Sequence, residues 1–119
     1  MRFQKLMELL NADVLTKYDG QDFECKCACS SDLMSDVLAF SKEKTILLTG
    51  LNNIQVIRTA EMMDIKVVVF VRGKKPAQEL IDYADSKDII LIATDNAMYE
   101  ASGILYSNGL GVTKNESSL

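Results

Sequence analysis

Three short apolar runs, each stopping on a small polar tip and each followed by a helical pattern, constrain this chain more than any other feature. The first is Thr45-Ile46-Leu47-Leu48, leading into Thr49-Gly50-Leu51-Asn52-Asn53. The second covers residues 66–71 and leads into Arg72-Gly73-Lys74-Lys75-Pro76, and the third covers residues 88–93 and leads into Thr94-Asp95-Asn96. Stretches such as Val67-Val68-Val69-Phe70 and Ile89-Ile90-Leu91-Ile92 are continuous rather than alternating, which is the pattern of strands covered on both faces. Apolar residues at helical spacing follow each tip. They are Ile54, Ile57, Ala60 and Met63; then Ala77, Leu80, Ile81 and Ala84, with Pro76 at the first helical position; then Ala97, Ala101, Ile104 and Leu105. The alternation predicts an α/β fold: a single-domain, largely parallel sheet with at least three consecutive βα units joined by right-handed crossovers. In such a sheet the tips gather at one edge, where open α/β folds keep their ligands.

Upstream the signals are shorter. Phe3, Leu6, Leu9 and Leu10 predict an amphipathic helix over residues 2–10, ended by Asn11. Residues 13–16 read as a strand, Asp19-Gly20 as a turn, and residues 23–29 as an extended segment. Ser30-Ser31-Asp32 offers oxygens to the free amides of a helix start, predicting a capped helix of about nine residues with Leu33, Met34, Val37, Leu38 and Phe40 on one side. Met7, Met34, Met62, Met63 and Met98 fall on or near apolar helical faces, as core filling or as a dimer seam. Ser107-Asn108-Gly109-Leu110-Gly111 stops the last helix, so the sequence predicts a domain over residues 1–108 and a flexible C-terminal tail over 109–119.

The 119 residues give room for one domain that needs no disulfide or metal. A net charge of −4 lacks the broad positive field of non-specific nucleic-acid binding. Apolar runs of about six residues fall far short of the roughly 20 that span a bilayer, and the N-terminus carries no signal-peptide pattern. A cytoplasmic protein with reduced thiols is expected. Histidine is absent, which removes histidine triads and histidine metal sites.

Three groups of residues could carry chemistry. In an extended segment, Cys25, Cys27 and Cys29 of Cys25-Lys26-Cys27-Ala28-Cys29 line up on one face. Three thiols with no histidine and no fourth cysteine do not complete a zinc site within one chain, so they read as an inward strand face, or as a metal or redox module completed across a dimer. Asp32 and Asp36 stand four apart, which on a helix puts both carboxylates on one face; they read as N-terminal charges of that helix, or as a magnesium pair for phosphoryl chemistry that Asp95 could join. The tips form the third group. Helix N-termini present free amides there, Gly50 and Gly73 admit close approach, and Arg72, Lys74 and Lys75 add positive charge, so a phosphate or carboxylate is the natural ligand. The candidate ligand-binding residues are Ser31, Asp32, Gly50, Asn52, Asn53, Arg72, Gly73, Lys74, Thr94 and Asp95. The same turns also need Gly, Asn, Asp and Pro for their own geometry, and no Walker motif or Gly-x-Gly-x-x-Gly occurs. No catalytic set, bound metal or cofactor is read from the sequence.

At Ser31-Asp32-Leu33-Met34-Ser35-Asp36-Val37-Leu38, through Arg72-Gly73-Lys74-Lys75-Pro76 to Met98-Tyr99-Glu100-Ala101, and in the early Leu10-Asn11-Ala12-Asp13-Val14-Leu15-Thr16, the chain resembles the DRTGG domain family, and within it the small stand-alone members. The resemblance runs over most of the chain, residues 6–110. It implies an α/β domain of the kind fused elsewhere to CBS pairs or to phosphotransacetylase, with a relative at the front of HPr kinases. It also implies a regulatory role, homodimers, and a redox or metabolic partner protein, since stand-alone members are often encoded beside iron hydrogenase or NADH-linked electron-transfer genes. The name-giving letters differ here: Gly50-Leu51-Asn52 stands where Gly-Asp-Arg would begin, and Val71-Arg72-Gly73 replaces Thr-Gly-Gly. The function expected is a non-enzymatic, ligand-sensing module with a small anionic ligand.

Overall fold

The computed structural model describes residues 1–42 and 44–112. Its elements in chain order are α1 (Phe3–Leu10), β1 (Asp13–Val14), β2 (Cys27–Ser30), α2 (Met34–Phe40), β3 (Thr45–Thr49), α3 (Ile54–Met62), β4 (Val67–Phe70), α4 (Gln78–Ser86), β5 (Ile90–Ala93), α5 (Met98–Ser107) and β6 (Gly111–Val112). They build one six-stranded sheet in the order β1-β5-β4-β3-β2-β6. Only the β1–β5 pairing is antiparallel; β2 through β5, and β6 beside β2, run parallel. The predicted α/β architecture with consecutive βα units is the observed one.

The continuous apolar runs follow from helices on both faces. Along β3 and β4, Ile46, Leu48, Val67 and Val69 pack with Phe3, Leu6 and Leu10 of α1 and Ala101 and Leu105 of α5. The alternate residues Leu47, Val68 and Phe70 pack on the other side with Val37 of α2, Val56, Ile57 and Ala60 of α3, and Leu80 and Ala84 of α4. Because successive strand side chains point to opposite faces and both faces are covered, the interior positions are apolar, and the two threonines at the ends of β3, Thr45 and Thr49, are buried with hydrogen-bond partners. Every residue of β3 and β4 is buried.

The differences from the sequence reading lie in the boundaries. α2 has seven residues rather than about nine, and its N-cap is Leu33, which makes no side-chain cap bond. Ser31 Oγ accepts the Leu33 amide, while the Asp32 carboxylate turns away to β3. Leu33 and Leu38, expected on the inner side of that helix, are exposed. Pro76 is buried but lies ahead of α4, whose N-cap is Ala77, so it shapes the approach to the helix rather than its first turn. Leu110 is buried and Gly111–Val112 pairs with β2, so the packed domain reaches at least residue 112 rather than 108. The rest of the expected tail, residues 113–119, lies outside the described residues. Of the methionines, Met34 is buried and Met7, Met63 and Met98 pack against the core, whereas Met62 is exposed.

Candidate functional site

The tips of β2, β3, β4 and β5 share the C-terminal edge of the parallel sheet, and hydrogen bonds join each to its neighbour. Between β2 and β3, Asp32 Oδ1 accepts from the Gly50 amide at 2.6 Å and from Thr49 Oγ1 at 3.0 Å. A Cβ at Gly50 would lie 3.5 Å from both Asp32 oxygens, in ordinary contact, so the chain passes close to the carboxylate here. Thr49 Oγ1 also accepts the Leu51 amide at 3.1 Å, which shapes the turn. Asn53 caps α3 by accepting the Gln55 amide at 3.1 Å. Such a cap contributes about 1 kcal/mol.

Between β3 and β4, Asn52 Nδ2 donates to the Lys75 carbonyl at 3.4 Å. At β4 the chain reverses through Val71-Arg72-Gly73-Lys74, with the Lys74 amide donating to the Val71 carbonyl at 3.3 Å. Both central residues have positive φ, 60° at Arg72 and 67° at Gly73. That is the pattern of a type I′ turn, and an arginine there costs about 1–2 kcal/mol that a glycine would not. The turn is held across the edge: the Arg72 amide donates to the Asn96 carbonyl at 2.8 Å and the Gly73 amide to the Thr94 carbonyl at 2.7 Å. Thr94 Oγ1 in turn donates to the Leu10 carbonyl at 2.7 Å, tying the β5 tip to the end of α1. A Cβ on Gly73 would meet Asp95 Oδ1 at 2.9 Å.

These bonds sort the candidate residues. Asp32 and Gly50 are brought together; Gly73, Thr94 and Asp95 are brought together; Asn52 reaches the Lys75 backbone; Asn53 is engaged as a cap. Ser31 is occupied locally with Leu33. Arg72, Lys74 and Lys75 are exposed, and their side chains form no ion pair among the described residues. Between the starts of α3 and α4 lies a cleft of about 350 Å³ lined by Asn52, Asn53, Ile54, Ala77, Glu79 and Leu80. Thr49, Asn96 and the backbone carbonyl of Lys75 belong to the edge as fully as the candidate ligand-binding residues. All three sit within the same tips, but their bonds reach across the fold, and sequence spacing does not reveal them.

The geometry alters two of the groupings read from the sequence. Asp32 lies two residues before α2 and is committed to the β3 tip, so it and Asp36 are not a pair on one helix face. The three cysteines do not all share a face either: Cys27 and Cys29 alternate within β2 onto one face, but Cys25 does not join them. β2 begins only at Cys27, and Cys25 packs into the core beneath α1 and α5, whereas Cys29 packs against the opposite one. Cys27 Sγ lies 3.0 Å from Thr45 Oγ1. Burial pushes the thiols of Cys25 and Cys29 up, Cys25 to about 11. Among the described residues, no three cysteine, aspartate or glutamate side chains converge as metal ligands.

Asp32→Ala should lower stability by about 1–2 kcal/mol, because a charged acceptor shared by two donors of the turn is lost. Chemical denaturation measures it. A loss near zero would mean that the β2–β3 link contributes nothing to the edge.

No protein-family model matches the chain, and no curated protein matches its sequence. Among the described residues, no helix is long and apolar enough to cross a membrane. Among solved structures, the chain is similar to the CBS and DRTGG domains of the regulatory region of Clostridium perfringens pyrophosphatase, crystallised with the activator diadenosine tetraphosphate. The TM-score is 0.71 and the identity 17%, with 87% of this chain covered. The match spans 45% of that chain, less than half its length. At this identity the likeness is one of fold, and the chain has a DRTGG-like α/β fold.

Proposed function

We propose that the protein is a non-enzymatic regulatory module that binds a small phosphate-bearing anion, of the nucleotide class, at the C-terminal edge of its sheet, and that it acts as a homodimer. The observation that carries this reading is the group of three exposed cations on one tip, Arg72, Lys74 and Lys75, which form no ion pair among the described residues; the Lys75 backbone is bonded to Asn52, which lines the cleft between the starts of α3 and α4. Helix starts offer free amides and partial positive charge, which favour phosphate oxygens. The left-handed Arg72 adds support, since an arginine held where glycine fits better is the kind of local cost that functional sites retain. The pyrophosphatase regulatory region of similar fold was crystallised with a dinucleoside polyphosphate, which directs the choice of probe.

Isothermal titration with ATP and diadenosine tetraphosphate tests the ligand, with adenosine as the uncharged control. Binding of the phosphorylated probes is expected, and the variant combining Arg72→Ala with Lys74→Ala should weaken it at least about tenfold, or 1.4 kcal/mol. Both residues are exposed, so the variant should fold. No heat from either phosphorylated probe, or equal affinity in the variant, removes the ligand reading. Sedimentation equilibrium tests the dimer separately: a monomer at all concentrations would remove that part alone.

A further inference from the structure

The sheet has a second end, and a larger cavity lies there. Opposite the tips, where β3 and β4 begin, a cavity of about 600 Å³ opens, well inside the range of small-molecule sites. Its apolar lining comes from Phe23, Cys25, Ile46, Met63 and Val67. Phe23 is a fixed wall, because its ring stacks on the buried Phe3 with centroids 4.7 Å apart.

The rim carries both signs, but the acids are already matched. Asp64 pairs with Lys66 at 3.0 Å, and Glu24 lies 3.9 Å from the Arg2 guanidinium. Lys42 and Lys44, also on the lining, form no ion pair among the described residues. Lysines beside a helix end can serve only to complement its dipole. Lys42 and Lys44 follow the C-terminal end of α2, a helix of only seven residues whose Val37 carbonyl already accepts the Ser41 amide, and both lysines also line the cavity. Unmatched positive charge over an apolar, partly aromatic cavity selects an amphipathic anion, whose body is desolvated while its charge stays at the mouth.

We propose that this cavity binds a small carboxylate with an apolar body, the body lying against Phe23, Cys25 and Met63 and the carboxylate meeting the ammonium groups of Lys42 and Lys44. The site is independent of the tip reading and sits at the other end of the sheet. Neither Asp64 nor Glu24 opposes the ligand, because each keeps its own cation.

Heteronuclear NMR on the full chain tests it, with hexanoate and benzoate titrated to about 10 mM and hexanamide and benzamide as neutral isosteres, a range that detects millimolar affinity. Expected are shifts at Phe23, Cys25, Ile46 and Met63, binding of the amides at least about tenfold weaker, and a similar loss in the variant combining Lys42→Gln with Lys44→Gln. Both lysines are exposed, and the spectrum of the variant reports its folding directly. A second variant, Met63→Trp, should fill the cavity and abolish the shifts while leaving the lysines in place. The proposal is overturned if no shifts occur, if they occur only at tip residues, if the amides bind as well as the acids, or if the lysine variant binds unchanged. Because tip and cavity residues give separate signals, failure here is distinguishable from failure of the nucleotide reading.

Discussion

Phe70→Ala is expected to lower the unfolding free energy by about 3–5 kcal/mol and the melting temperature by roughly 10–20 °C. Phe70 is fully buried and ends the central strand β4, in register with Thr49 on β3 and Ala93 on β5. Its ring packs in the core under α2, α3 and α4, so truncation removes apolar contact and leaves a cavity that three elements would have to close together. The effect should also reach the functional edge, because the residue after Phe70 begins the turn that carries Arg72, Lys74 and Lys75. Leu33→Ala is the matched control. Leu33 is 59% exposed, so its loss should stay within about 0.5 kcal/mol although both changes delete a large apolar side chain. Equal effects from the two substitutions would contradict the burial described.

Alkaline pH should destabilise the fold through Cys25. Burial pushes its thiol from the ordinary 9.0 up to about 11, so the folded state favours the neutral thiol more than the unfolded chain does. The contribution is fully present below pH 9 and is lost as pH rises through about 11, amounting to about 2–3 kcal/mol over the two-unit interval. Cys29 and Tyr18, also raised chiefly by burial, act in the same sense. The informative measurement is therefore the difference between the wild type and Cys25→Ala, followed by denaturation from pH 8 to 11. The wild type should lose about 2–3 kcal/mol more than the variant across that range. Parallel pH profiles would mean that Cys25 ionises as freely in the folded chain as in the unfolded one.

The central strands were legible because their physics is local. The interior residues of β3 and all of β4 are apolar whichever way they point, so Ile46 and Leu47 are equally informative although they serve opposite cores. The helices that follow were legible for the same reason, through the spacing of residues such as Ile57 and Ala60 or Leu80 and Ala84. Around residues 25–38 the local chemistry offers two uses for the same groups, and the fold takes the one that sequence spacing does not favour. Ser31 and Asp32 have the chemistry of helix caps, but Asp32 is claimed by Gly50, eighteen residues away, and the helix starts later at Met34. The cysteine alternation assumed a strand from Cys25, whereas that residue precedes β2 and turns into the other core. At the edge, the tips and their cations could be read in advance. The bonds that lock them, from Asn52 to Lys75 and from Gly73 to Thr94, depend on which strands lie side by side, and strand order is not written in residue spacing. The larger cavity at the far end was missed for the same reason: it is assembled from segments spread between Phe23 and Val67.

Among the described residues the sheet ends on both sides in strands of two residues, β1 and β6. An unpaired strand edge is a template on which another chain can add, and a long one invites uncontrolled aggregation. Here the fully buried strands β3 and β4 are shielded behind neighbours, and among the described residues the outermost strands are only Asp13–Val14 and Gly111–Val112. β1 also runs against the direction of the strands beside it, so its outer side does not repeat the parallel ladder. Among the described residues, growth of the sheet from molecule to molecule is thus blunted, since each outermost strand offers only a short ladder.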